Sequence, residues 1–408
     1  MKRSLVALGV FLAILRGPGQ VRAEGPPFEL VDGDRVVLIG GTLVERDQET
    51  GYLEARLVRR YPDRNLTFRN LGWSGDTVEG PSRAGFGSVE DGFRHLIEHV
   101  VSLRPTVVVV GYGANEAFGG AAGLPHFLAG LDRLLKAIAP TGARLVILAP
   151  NRQEDLGPPL PDAAPHNADL ALYSEALRIE AGKRGVAFVD LFALLPDGSK
   201  ARPRRPSTDN GIHLNPLGYA RAGAAIEAAL LPKPKGAEGD PAPTLVRFAR
   251  DARESQKAPG GVRFKAQDSL LPAPPPPEGE PLPPGDGREV AISGLPPGRY
   301  LYKVDGVPVA EGTADDWASG VVVRKGPEFD QAEALRSAIV AKNQIYFYRW
   351  RPQNETYLFG FRKHEQGQNA AEIPEFDPLV AAKEAEIARL RVPVPHLHEW
   401  IREGEVGR

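Results

Sequence analysis

Cysteine is absent from the 408 residues. That excludes a disulfide framework and thiolate chemistry, and the chain is long enough to build its core without staples. Charge of one sign is also missing: 50 basic against 52 acidic side chains leave a net charge of -2. So even a balance provides no electrostatic footprint for nucleic acid or an anionic membrane, and neither partner is expected. No apolar run is long enough to span a bilayer comfortably, since the best one, Ser4 to Leu15, is too short. No repeat of 20–50 residues is visible. No glycine-rich phosphate loop occurs either, because Gly40-Gly41 lacks the following lysine or later glycines. The histidines are scattered without metal-ligand spacing, so neither a metal nor a cofactor is expected.

What is abundant is glycine and proline, 45 and 39 residues, which indicates a loop-rich protein, while the length of 408 residues suggests two to three domain-sized units. Met1-Lys2-Arg3, the apolar run and the small-x-small step Val21-Arg22-Ala23 together read as a secretory signal peptide over residues 1–23. The mature chain then starts near Glu24 and is exported, with no membrane span left after removal of the signal.

Residues 24–232 alternate strand and helix. Strands are predicted at 35–41, 66–70, 106–110, 144–149 and 186–190, and helices at 51–61, 92–103, 124–139, 167–183 and 217–231. Thr106 to Val110 is almost wholly β-branched, as suits a central parallel strand. The pattern implies an α/β fold, a doubly wound parallel sheet with helices on both faces. Such sheets bind ligands beyond the carboxyl ends of their strands. The polar loops after Gly41, Asn70, Gly111 and Ala149 would meet there, joined by the loop that carries His213. Pro216 suits the first turn of the helix behind that histidine. Residues 233–243 read as a linker. Residues 244–408 read as a C-terminal α+β extension. Within it, 271–287 is an extended surface loop, 288–293 and 299–304 are a hairpin about Gly294–Gly298, Asp305-Gly306 is a further turn, and helices at 332–348 and 377–390 clasp the α/β unit.

Acyl transfer needs a nucleophile, a base and donors for a developing oxyanion. The gathered loops offer Thr42 as the hydroxyl, His213 as the base, the Asn115 amide, and a backbone N–H at Gly72, where the chain can approach a ligand closely. Four stretches in order, Ile39-Gly40-Gly41-Thr42-Leu43, Asn70-Leu71-Gly72-Trp73-Ser74-Gly75-Asp76-Thr77, Gly111-Tyr112-Gly113-Ala114-Asn115-Glu116 and Asn210-Gly211-Ile212-His213-Leu214, resemble the blocks of the SGNH (GDSL-type) hydrolase family. The resemblance covers about residues 30–232. It implies a flavodoxin-like three-layer α/β/α fold and hydrolysis of ester bonds through a serine and a histidine. By resemblance, Gly72 and Asn115 match the oxyanion glycine and asparagine, and His213 the general base. Residues from 233 onward look like a tail seen with secreted SGNH proteins of planctomycete type.

Two positions depart from the family pattern. Thr42 stands where the family has its serine, after Gly41 in place of aspartate, and Asn210 stands where the acid precedes the histidine, with Asp209 adjacent. The β-methyl of threonine stiffens χ1. Asparagine can orient an imidazole but cannot stabilise imidazolium by charge. Asp209 could take the acid's place, a carbonyl could orient His213, or Ser74 or a water could attack; Thr42 could equally be a structural hydroxyl that caps a turn. The substrate class read from these features is a small-molecule or polysaccharide ester, most concretely a modified carbohydrate handled by an esterase or deacetylase. The alternative is a catalytically retired scaffold that binds glycan or cell-envelope material. Asn151 to Glu154 would line the cleft. Asp76 and Thr77 pin their loop or touch substrate, Trp73 is a core lid or a sugar-stacking platform, and the arginine- and aromatic-rich stretch 346–357 is an inter-domain seam or a surface that stacks on sugars or binds carboxylates and sulfates, with the first reading favoured in each case.

Overall fold

The structure is a computed structural model that describes residues 28–195, 205–231, 244–247, 256–258, 261–277, 280, 286–365 and 367–403. The signal-peptide and linker expectations lie outside these residues. Strands β1 (Arg35–Gly40), β2 (Thr67–Asn70), β3 (Val107–Gly111), β4 (Arg144–Leu148) and β5 (Ala187–Val189) form a five-stranded sheet in the order β2-β1-β3-β4-β5. Every pairing in it is parallel. This is the flavodoxin-like order, with the chain reversing direction beside β1.

Alternate strand residues point to opposite faces, and the two cores divide accordingly. Val36, Leu38, Val107, Val109, Val146 and Leu148 pack on one side with Leu57 and Val58 of α2 (Tyr52–Arg59) and Ile226 of α7 (Pro216–Leu230). Val37, Ile39, Val108, Val110, Ile147 and Phe188 pack on the other with α3 (Val89–Ser102), α4 (Gly120–Ile138) and α5 (Ala164–Arg184). The three-layer α/β/α expectation is met. Helix α1 (Thr42–Thr50), which follows β1 directly, was not expected. Its sequence, TLVERDQET, is so polar that no apolar stripe marks it, and the chain continues into α2 after Gly51 takes a left-handed turn.

The C-terminal part holds two further sheets: one in the order β11 (Val307–Thr313), β10 (Arg299–Val304), β13 (His396–Arg402), β8 (Gly261–Ala266), β7 (Gln256–Ala258), the other in the order β12 (Val321–Val323), β9 (Arg288–Ala291), β6 (Thr244–Arg247). Trp317, Trp400, Tyr300 and Tyr302 fill the core around them. The hairpin expected about Gly294–Gly298 is corrected. Strand β9 (Arg288–Ala291) pairs with β12 (Val321–Val323), whereas β10 (Arg299–Val304) pairs with β11 (Val307–Thr313), so that segment crosses between sheets. The hairpin turn is Asp305-Gly306. Alternation told which residues were strand but not which partner each strand would take.

The stretch from Leu271 is corrected as well. Leu271 to Pro274 is extended but buried, with Leu271 in the core beside α2. Prolines carry no N–H, so burying this run leaves mainly carbonyls to satisfy. Arg59 donates to the Leu271 carbonyl at 3.0 Å and the Tyr52 hydroxyl to that of Pro275 at 3.0 Å.

Helices α9 (Pro327–Trp350) and α11 (Phe376–Leu390) clasp the α/β unit, as expected. Ala332, Leu335, Ala338 and Ile339 enter the same core as β1 and α2, so packing runs across the composition change near residue 232. The seam from Tyr346 onward is polar and aromatic. The Arg69 guanidinium lies over the Tyr346 ring, Trp350 meets Trp73 edge-on at 5.8 Å, and Arg351 donates to Glu45 at 2.9 Å.

Candidate active site

The carboxyl ends of β1, β3 and β4 open onto one cleft. Gly40 and Gly111 let those strand ends close up, since a side chain on Gly40 would sit 2.5 Å from the Gly111 carbonyl oxygen. Thr42, Asn115 and His213, three residues far apart in the chain, all line this cleft.

Thr42 is the first residue of α1, whose N-cap is Gly41 and has no side-chain cap. The Thr42 hydroxyl therefore does not cap the helix, and among the described residues it makes no hydrogen bond. Its backbone N–H, like that of Leu43, belongs to the first helical turn and has no intrahelical acceptor. Two N–H donors and the positive end of a helix thus stand at the cleft. The Tyr219 hydroxyl of α7 donates to the carbonyls of Thr42 and Leu43, at 3.3 and 3.1 Å, and fixes this turn against the opposite wall.

Asn115 is held from below. One N–H of its amide donates to the Asp76 carbonyl at 2.9 Å, which leaves the second for a ligand. Asp76 itself is buried, and its carboxylate accepts from Arg83 at 2.8 Å and Tyr112 at 3.2 Å, the loop-pinning role expected of it. The adjacent Glu116 accepts from the backbone N–H groups of Gly113 and Val78 at 2.9 and 3.0 Å. Burial raises its pKa. It lines the cleft and staples two loops, its carboxylate oxygens taken up by those N–H groups.

His213 sits in a turn clamped on both sides. Thr208 bridges Leu214, and Asp209 N–H donates to the His213 carbonyl at 2.9 Å. Glu154 accepts from Ser207 N–H at 2.9 Å and the Thr208 hydroxyl at 2.6 Å. The acid position is the chemical anomaly. The Asn210 Oδ1 accepts from the N–H groups of Ile212 and His213 at 3.1 and 2.9 Å, so the amide's orientation is settled. Its Nδ2 then faces His213 Nδ1 at 3.3 Å. An amide N–H can only donate, so Nδ1 accepts and the ring proton of neutral His213 is placed on Nε2. That is the reverse of the tautomer a general base needs.

Asp209 does not take over. Its carboxylate is 3.8 Å from Arg46 and makes no bond to the ring among the described residues. Burial, and then the Arg46 charge, lower the His213 pKa, with Asp209 opposing. A neutral imidazole is required for base catalysis, so rate should rise with pH and level off below the ordinary imidazole value. Arg46→Ala should move that acid limb upward, which a kcat/KM profile between pH 4.5 and 8 would read.

Gly72 is corrected. Its N–H already donates to Asn70 Oδ1 at 2.8 Å, and it is not part of the cleft wall. Glycine is required there for another reason: a Cβ would lie 2.3 Å from Glu45 N, so the loop could not pass beneath α1. Ser74 also lies away from the cleft, exposed, with its N–H on the Glu45 carboxylate. Of the segment after β4, Asn151 and Gln153 line the cleft, whereas Arg152 turns back to the Phe192 carbonyl at 2.9 Å and Glu154 serves the His213 loop. Trp73 is covered by the Arg351 guanidinium at 3.5 Å and is a packed lid. Phe118 and His166, which also line the cleft, had no signal in the sequence: they are neither adjacent nor periodic.

Residues 34–221 match the GDSL-like lipase/acylhydrolase family. Comparison with curated proteins finds no match. Among solved structures, a gut microbial diltiazem-metabolizing enzyme is similar at a TM-score of 0.69 and 15% identity, covering 94% of this chain and 100% of that one. At that identity the likeness is one of fold, and it includes the C-terminal part. A catalytic mutant of an acetylxylan esterase from Geobacillus stearothermophilus has a TM-score of 0.39 and 16% identity over 50% of this chain and 97% of that one. An α/β hydrolase from the metagenome of Lake Arreo, Spain, has a TM-score of 0.37 and 23% identity over 49% and 96%.

Proposed function

We propose, from the premise that residues 34–221 form a domain of the GDSL-like lipase/acylhydrolase (SGNH) family, that the cleft takes an ester of a modified carbohydrate and hydrolyses it. The observation that carries this reading is the convergence of Thr42, Asn115 and His213 on one cleft at the N-terminus of α1. On the proposed route, the ring proton of His213 moves from Nε2 to Nδ1, against the Asn210 donor, and Thr42 Oγ1 then attacks the acyl carbon as its own proton passes to Nε2. The carbonyl oxygen, now negative, is met by the Asn115 amide and the N–H groups opening α1. The alcohol departs with the proton from His213, and water then cleaves the acyl-threonine by the same steps in reverse order of partners. The Nε2–H tautomer must first be exchanged for its counterpart, so the route is slow. Export is proposed from the signal-like segment over residues 1–23, and kinship with a secreted planctomycete-type group from the tail beyond residue 232. No helix among the described residues is long and apolar enough to cross a membrane.

Release of the chromophore from an acetate ester, abolished by Thr42→Ala and by His213→Ala, is the expected result. The Asn210 arrangement favours a second reading, a binding scaffold that has lost turnover. Glycan binding that survives both substitutions, with no ester cleaved, would establish that reading instead.

A further inference from the structure

We propose that Phe118, His166 and Gln153 form the subsite for the alcohol part of the ligand, and that this alcohol is a pyranoside. The inference rests on the reading of the cleft as a ligand site and names its substrate class. Phe118 follows Asn115 by one short turn and is 63% exposed at the cleft wall. Its ring is stacked on the imidazole of His166, with centroids 4.0 Å apart and planes within 15°. His166 stands in the first turn of α5 and is held there by the rigid helix. Burial lowers its pKa, with Asp169 opposing, so at neutral pH the pair is an uncharged, flat carbon surface. Single exposed aromatics are ordinary on protein surfaces. This one is backed by a second ring and placed beside a proposed oxyanion donor.

Gln153 supplies the polar half. It is 7% exposed and lines the same cleft. Its backbone N–H and carbonyl are both bound to the Asn167 side chain, at 3.0 and 2.9 Å. Its side-chain amide makes no hydrogen bond among the described residues. The amide is open to the cleft, where it offers a ligand a donor and an acceptor together. An apolar plane beside a free amide matches a pyranose, whose C–H face is apolar and whose hydroxyls donate and accept. An acyl lipid would leave the amide unmet, and a charged alcohol would find no countercharge in this trio.

The test uses the full mature chain and methyl glucoside as the binding probe, followed by ligand-observed NMR and calorimetry. Phe118→Ala should weaken binding by about tenfold, the scale of a lost ring stack, and Phe118→Tyr should restore it. Gln153→Leu, which keeps the volume, should weaken it by a similar factor. In parallel, the ratio of kcat/KM for an acetylated methyl glucoside over ethyl acetate should fall about tenfold in Phe118→Ala. Ester cleavage with glucoside binding indifferent to the Phe118 ring overturns the subsite and leaves hydrolysis standing. Glucoside binding that depends on Phe118 in a protein that cleaves no ester upholds the subsite and removes hydrolysis. Absence of glucoside binding, or a preference for phenol over the glucoside, overturns the assignment. Because Phe118 is largely exposed, its substitution should leave the thermal midpoint in place, so a folding defect would be recognised.

Discussion

Asn210→Asp combined with Thr42→Ser is expected to raise kcat on a chromogenic acetate ester by up to about 10⁴, the factor by which the opposite acid-to-amide change lowers a serine protease triad. The geometry explains why so small a substitution should matter. Asn210 Oδ1 already accepts two backbone N–H groups and would keep them as a carboxylate oxygen. The second oxygen would replace the Nδ2 that stands 3.3 Å from His213 Nδ1. A donor would become an acceptor, Nδ1 would hold the ring proton, and the lone pair of Nε2 would be free to take the proton of the attacking hydroxyl. Thr42→Ser acts separately, by removing the methyl that restricts χ1 and crowds the approach. The two sites address one proton transfer, so their effects should exceed the product of the single changes. The new charge also favours imidazolium, so the acid limb of the rate profile should move upward. If Asn210→Asp binds ligand normally and leaves the rate at background, His213 is not a base here, and the scaffold reading gains.

How much of this could be read from residues alone differs by level. The parallel sheet was legible, because runs such as Val107–Val110 are apolar on both faces and only a central strand has that need. The meeting of Thr42, Asn115 and His213 was legible too, as a consequence of loops after parallel strands sharing one edge. Hydrogen-bond allocation was not. Gly72 and Asn210 had plausible roles by type, yet the Gly72 N–H is already taken by the Asn70 side-chain oxygen, and the Asn210 oxygen by the N–H groups of Ile212 and His213. Pairing between strands failed for the same reason at β9 and β10, whose alternation is local while their partners are distant. Phe118 and His166 illustrate the limit: a stack between residues on separate elements leaves no pattern in the chain.

Lys342→Met should lower the stability of the whole molecule by about 3–5 kcal/mol, as expected when one member of a buried ion pair is removed. Lys342 Nζ lies 2.6 and 2.7 Å from the two carboxylate oxygens of Glu54 and donates to the Phe68 carbonyl at 3.2 Å. Burial pushes the Lys342 pKa down and the Glu54 pKa up, and each charge opposes the shift of the other. Without the ammonium, Glu54 is a buried carboxylate beneath α9. Its native pKa would then lie further above the unfolded value, so the native state would bind the proton more tightly. The deficit of the variant should therefore shrink as pH falls toward the unfolded carboxyl range, and urea titrations at pH 5 and 8 would show it. Glu54→Gln in the same chain should recover most of the loss. A single-variant loss below about 1 kcal/mol would mean that the C-terminal helices are not held through this pair. The consequence reaches the cleft, because α9 also delivers Arg351 to Glu45, on the helix that begins with Thr42. Deleting the chain beyond residue 232 would bare Glu54 and the core face that receives Ile339, so the α/β unit alone should be less stable than the full chain and poorer at holding Thr42 in place.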